Sequence, residues 1–112
     1  MKGIGGNTDV TIQISTTSRN AIGEQVKSWQ DVQTLHGWMD MISGDSQYRV
    51  YDAKILESSN VFVGDYVPLD ARIEAENARL VHDGKVYDIM LIDDPMGMHL
   101  QWEIYLKYTG GQ

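Results

Sequence analysis

The side chains best equipped for proton or metal chemistry in this sequence are three histidines, a pair of adjacent aspartates and two closely spaced glutamates. His36, His82 and His99 are scattered, with no two at ligand spacing, and a metal site also needs partners that orient each imidazole. Asp93-Asp94 could offer oxygens to a cation, but the ligand spacing of a calcium loop is absent and Asp before Pro95 is ordinary turn chemistry. Glu74 and Glu76 share one face of an extended chain and could act as acid and base. They stand in a charged connector, where a solvated edge is the simpler expectation. No G-x-S-x-G elbow activates a serine, and Gly3-Ile4-Gly5-Gly6 opens no helix, so it is no phosphate loop. With no cysteine at all, disulfides, thiolate catalysis, iron–sulfur clusters and Cys-based zinc sites drop out together. The residues therefore predict no catalytic residue, no cofactor and no metal.

The aromatic residues leave more room. Trp29, Trp38, Tyr48, Tyr51, Tyr66, Tyr105 and Tyr108 could form a platform on which a ligand stacks. Such residues are more often core and interface anchors. One reading that stays open is a small SH3-like β-barrel module that binds a peptide or carbohydrate in an aromatic groove. An enzyme ranks behind it, because acid–base work requires two titratable groups with separated pKa values in one pocket and no spacing suggests them.

Charge narrows the partners. Nine Lys and Arg against 16 Asp and Glu leave a net charge of −7, and tight nucleic-acid binding rests on cations that neutralise phosphates. Residues 1–44 hold 3 positive and 4 negative groups while residues 45–112 hold 6 and 12, so the second half supplies −6 of the total. Such a half is a solvated surface, or a wall past which DNA slides without sticking. No window comes near the roughly 18 apolar residues of a membrane helix, and the opening residues lack the apolar stretch of a secretory signal. No membrane partner is expected, and synthesis in a cytoplasm-like compartment is. At 112 residues the chain is long enough for one hydrophobic core.

The elements that must position these residues read mainly as strands. Val10, Ile12 and Ile14 alternate with polar neighbours and predict a strand over 9–15. The polar stretch 16–30, broken by Gly23, reads as a long loop, and 32–42 as a second strand with Leu35, Gly37, Met39 and Met41 on one face. The segment 45–55 places Tyr48, Tyr51 and Ile55 at i, i+3 and i+7 and predicts one short helix. A third strand runs over 60–67, stopped by Pro68. Asp83-Gly84 between two apolar runs is the signature of a two-residue hairpin turn, which sets His82 against Lys85, Val81 against Val86, Leu80 against Tyr87 and Arg79 against Asp88. The last of these predicts a cross-strand ion pair. A final strand carries Leu100, Trp102, Ile104, Leu106 and Tyr108 on one face, so that Trp102→Ala is expected to cost about 3 to 5 kcal/mol as a core truncation. The fold class that follows is mainly β, a small antiparallel β-barrel with long inter-strand loops and one short helix. Residues 9–109 form the single domain, flanked by flexible segments 1–8 and 110–112.

The order of these pieces resembles the head closure proteins of the phage head-tail joining family. The shared features are the opening strand Asp9 to Ile14, the polar loop with Gly23 ahead of Trp29, the strand ending Met41-Ile42-Ser43, the Tyr-containing segment 45–57, and the block Asn77 to Ile89 followed by Asp93-Asp94-Pro95. Three tryptophans and an acidic second half set this sequence apart. The resemblance implies a barrel subunit that is monomeric when free and assembles as a ring, dodecameric in the family, below the portal and its adaptor. There it would retain the packaged DNA, without sequence-specific binding, and dock the tail. Its partners would be the portal-bound adaptor and the tail completion proteins, and its place the virion after synthesis in the bacterial host cytoplasm. By position, Asp45, Tyr48, Tyr51, Lys54 and Glu57 correspond to a segment projecting into the channel as a stopper, and Arg19, Asn20, Ile22, Glu24 and Lys27 to a loop that contacts neighbouring rings.

Overall fold

The computed structural model of the chain describes residues 8–41 and 58–111. The expected helix 45–55 lies outside these residues. Six strands, β1 Thr8–Arg19, β2 Gln25–Met41, β3 Asn60–Asp65, β4 Ala78–His82, β5 Lys85–Asp93 and β6 Gln101–Gly111, pair antiparallel throughout. They close into a barrel in the order β1-β2-β3-β6-β5-β4. The helical pieces among the described residues are two short 3₁₀ turns, Ala75–Asn77 and Pro95–Gly97.

Period-two alternation puts one side chain in two inside. Val10, Ile12 and Ile14 enter from β1, Leu35 from β2, Phe62 from β3, Leu80 from β4, Ile89 from β5, and Ile104 and Leu106 from β6. Each such side chain contributes about 1.5–3 kcal/mol by leaving water, and a six-stranded barrel is narrow enough for them to fill it. Tyr87 joins this core from β5, with the Tyr108 ring set edge-on to it at 5.5 Å. The β4–β5 hairpin has the register counted from sequence, including Arg79 opposite Asp88. Asp83 and Gly84 both take positive φ, 53° and 78°, as a type I′ turn requires.

Two expectations need correction. The stretch 16–30 is mostly strand: β1 and β2 stay paired from Ser15 opposite Trp29 to Arg19 opposite Gln25. Apolar alternation missed it because neither face of this arm is covered, so no side chain there needed to be apolar. On the last strand, Ile104 and Leu106 are buried, but Leu100 lies before the strand and is half exposed, and Trp102 is only partly buried.

One close approach on β2 fixes its pairing with β3. Gly37 faces Gly64 across the ladder, and a Cβ built on Gly37 would sit 2.7 Å from the Gly64 Cα, with the Val63 carbonyl nearer still. Both obstacles are backbone, so the strands themselves would have to separate. Gly37→Ala is therefore expected to destabilise the barrel by at least about 2 kcal/mol, read as a lower midpoint in denaturant unfolding; an unchanged midpoint would show that the strands are not this close.

Candidate functional site

The β1–β2 arm is built from its turn outward. Asn20 organises the turn: its backbone N–H donates to the Glu24 carbonyl at 2.9 Å, and its carboxamide oxygen accepts from the Ile22 and Glu24 N–H groups at 3.1 and 3.0 Å. Gly23 follows at φ 85°, the left-handed conformation that closes a three-residue hairpin loop. The Arg19 guanidinium donates to the Gly23 carbonyl at 2.9 Å. This network leaves Ile22 at the tip with 79% of its surface exposed. Arg19, Asn20, Ile22 and Glu24 are thus brought together in one rigid tip, and Lys27 stands two ladder steps below it on β2. The arm begins at the level of the first residue of β4: Ala78 is opposite Ile14, and no described strand pairs with Ser15–Arg19 on that edge.

At the base of the arm the Trp29 ring lies between two cations, with Arg79 4.2 Å and Lys27 4.9 Å from its centre. Arg79 donates from Nε to Gln13 Oε1 at 2.7 Å, and Gln13 passes its own N–H to Asp31 at 2.6 Å. The ion pair expected between Arg79 and Asp88 does not form. The two residues are in register, but cation–π contact and a side-chain acceptor on β1 hold the guanidinium on the other side of β4.

The same end of the barrel carries a second apolar rim. The Tyr66 ring stacks on Trp102 at 4.8 Å and meets His99 at 4.9 Å, and the Trp102 indole donates to the Val67 carbonyl at 2.8 Å. Asp94 grips His99 twice, from its backbone N–H at 2.9 Å and at Nδ1 at 2.6 Å. Met96 and His99 both hold positive φ, 56° and 58°, strain that the packing must sustain. Outside this stack Met96, Met98 and Leu100 are 91, 57 and 51% exposed. In the adjoining loop Asp70 is clamped by the Arg72 guanidinium at 2.8 Å, which holds its carboxyl down at about 2.

The opposite end receives the segment between β2 and β3. Met41 and Asn60, which flank it, pair with each other beside Leu106, at the end that also holds the Asp83-Gly84 turn. Asp45, Tyr48, Tyr51, Lys54 and Glu57 lie outside the described residues. Ser58 is buried, and Ser59 donates its N–H to the Leu106 carbonyl at 2.8 Å while its hydroxyl accepts from Tyr108 N–H at 2.9 Å. Ser59 thereby ties the chain entering β3 to β6.

His36 pairs with Asp9 at 2.7 Å and His99 with Asp94, in separate places. No group of three or more metal-ligating side chains converges among the described residues, and no described helix is long and apolar enough to cross a membrane. Recesses of about 180 Å³ beside Arg19 and Gln25 and about 270 Å³ beside Asp88 and Met90 are smaller than the pocket a small ligand fills. Neither is lined by the aromatic residues that would form a groove. On the outer face of β6, burial together with the Glu103 and Asp93 carboxylates pushes the Tyr105 phenol up to about 12, and its hydroxyl donates to Glu103 at 3.1 Å. Sequence reasoning missed the Met96–Leu100 rim, whose only signal was three exposed-prone apolar residues after an Asp-Pro turn.

Comparison with known proteins gives one family and one fold. The family model described as phage head completion protein matches residues 1–107. The solution structure of protein SF1141 from Shigella flexneri 2a is similar, with a TM-score of 0.67 at 21% identity over 96% of each chain. At that identity the likeness speaks for the fold. No curated protein matches the chain.

Two measurements check this geometry. Trp102→Ala should cost about 2 to 3 kcal/mol in denaturant unfolding, below a full core truncation, because the ring is only partly buried and stacks on Tyr66 at the rim; a loss above about 4 kcal/mol would place Trp102 in the core after all. Tyr105 keeps its proton more tightly folded than unfolded, so its contribution to stability is complete below about pH 10 and fades as pH rises toward 12. Tyr105→Phe should therefore lose less stability across that alkaline window than the unmodified chain, and equal losses would show that the phenol is not perturbed.

Proposed function

The chain belongs to the phage head completion protein family, and from that premise we propose that it is a head closure subunit that forms a ring below the portal and its adaptor, retains packaged DNA and docks the tail. The family is a structural one, so the protein is a virion component that works by contact with other head and tail proteins. The observation that carries the finer reading is the division of the barrel into two unlike ends. One end offers the rigid arm with Ile22 at its tip and the Met96–Leu100 rim. The other receives both ends of the long segment between β2 and β3.

In this reading the segment holding Asp45, Tyr48, Tyr51, Lys54 and Glu57 enters the channel and stops the DNA, while the arm that carries Arg19, Asn20, Ile22, Glu24 and Lys27 reaches an adjoining ring with its tip. A net charge of −7 suits a channel subunit that must not hold phosphate. Exposed apolar residues on a preformed turn suit docking, because little ordering entropy is lost on contact.

A shortened chain tests the division of labour. Replacement of residues 46–56 by a short Gly-Ser link spares Ser58 and Ser59, so the barrel should fold with an unchanged melting midpoint while particles that incorporate it lose their DNA; full DNA retention would remove the stopper role. Ile22→Asp leaves the core untouched and should lower incorporation into particles at least tenfold, about 1.4 kcal/mol of contact. Normal incorporation would remove the arm tip from the docking surface.

A further inference from the structure

The outer faces of β3, β6 and β5 carry an apolar strip edged by carboxylates. Val63 on β3 stands beside Glu103 on β6 and Asp93 on β5, and one step along Val61 stands beside Tyr105 and Leu91. Trp38 on β2, 51% exposed, extends the strip past Val63. The valines, Leu91 and Tyr105 are half-buried on a surface that faces outward. Along the strip Asp93 and Glu103 are cross-strand partners, an unfavourable placement of like charges. Glu103 accepts from Gln101 at 3.0 Å and from Tyr105, and among the described residues no Lys or Arg bridges either carboxylate.

The complementary surface is on the same chain. In a two-stranded ladder Arg19, Gln25, Thr17, Lys27, Ser15 and Trp29 share one face of the arm, and Arg79 extends that face by its contact with Trp29. Three cations therefore line one side of a ribbon that no other strand covers. In the ring of strands β1 is diametrically opposite β6. The basic face and the acidic apolar wall cannot meet within one molecule.

We propose that the cationic face of the arm lies along the outer β3–β6–β5 wall of a second copy of this chain, Lys27 and Arg19 against Asp93 and Glu103. This rests on the head closure reading for its setting and names the contact that builds the ring. Because two different patches meet, the contact is head-to-tail and repeats from copy to copy. Opposite charges on the two patches also set its polarity, since arm against arm and wall against wall both repel.

The sequence has no cysteine, so an introduced pair reports one contact. A chain with Lys27→Cys and Asp93→Cys, carried into particles and oxidised, should give a ladder of covalent oligomers beyond the dimer, while either single variant stops at the dimer. Incorporation of the double variant with no species above the dimer overturns the proposal and leaves the head closure reading intact. Absence of the unmodified chain from particles overturns the head closure reading, and the proposal is then decided on the concentrated purified double variant: a ladder supports it and its absence overturns it. Charge reversal gives the second readout. Lys27→Asp and Asp93→Lys should each reduce assembly about tenfold or more, and the two together in one chain should restore it; no recovery in the paired variant also counts against the contact.

Discussion

The four residue pairs that join β1 to β4, from Thr11 opposite Val81 to Ile14 opposite Ala78, decide most of this structure. They bring together positions more than sixty residues apart in the chain and convert a curled sheet into a closed barrel. Closure is what keeps Ile12 and Leu80 dry, both fully buried. It also sets where the barrel stops. β4 begins at Ala78, and β1 and β2 run on past it as a two-stranded ribbon. The arm is thus a direct result of one strand being short where its neighbours are long. An isolated ribbon of this kind is marginal in water, and here it is steadied by the Asn20 turn at its tip and the Trp29 cation stack at its root.

What could be read from the sequence follows from which faces are covered. Barrel strands leave an alternating record because one face is dry, so β1 near Ile12 and β6 near Ile104 were legible. The β4–β5 register was legible from Asp83-Gly84 alone, since turn length fixes the pairing. The arm left no such record: Thr16, Thr17, Ser28 and Gln30 are polar because both faces are wet, and polar alternation resembles a loop. Its stability resides in hydrogen bonds such as Thr16 to Ser28 at 2.9 Å, which no hydrophobic pattern announces. The fate of Arg79 was equally hidden. Register put it opposite Asp88, but its choice of Trp29 and Gln13 depends on a neighbour sixty-six residues away. The fold gathers Arg19, Asn20, Ile22 and Glu24, neighbours in sequence, at one tip, whereas the Met96–Leu100 rim depends on His99 being held by Asp94 and left no pattern in the sequence.

In the proposed reading, function is a matter of which surfaces the barrel presents, and where. The arm tip and the methionine rim share one end, the β2–β3 segment departs from the other, and the wall of β3, β6 and β5 lies between. A barrel rigid in its core can hold three such surfaces at fixed angles. In the proposed reading, that suits a subunit that meets neighbours above, below and beside it.

The most direct test of head closure uses DNA-filled, tail-less heads of the cognate phage and the purified chain. Heads incubated with the chain should bind a fixed, saturating number of copies and keep their DNA protected from nuclease, while untreated heads release it. Heads that bind no chain, or that bind it and release DNA at the untreated rate, would contradict the account.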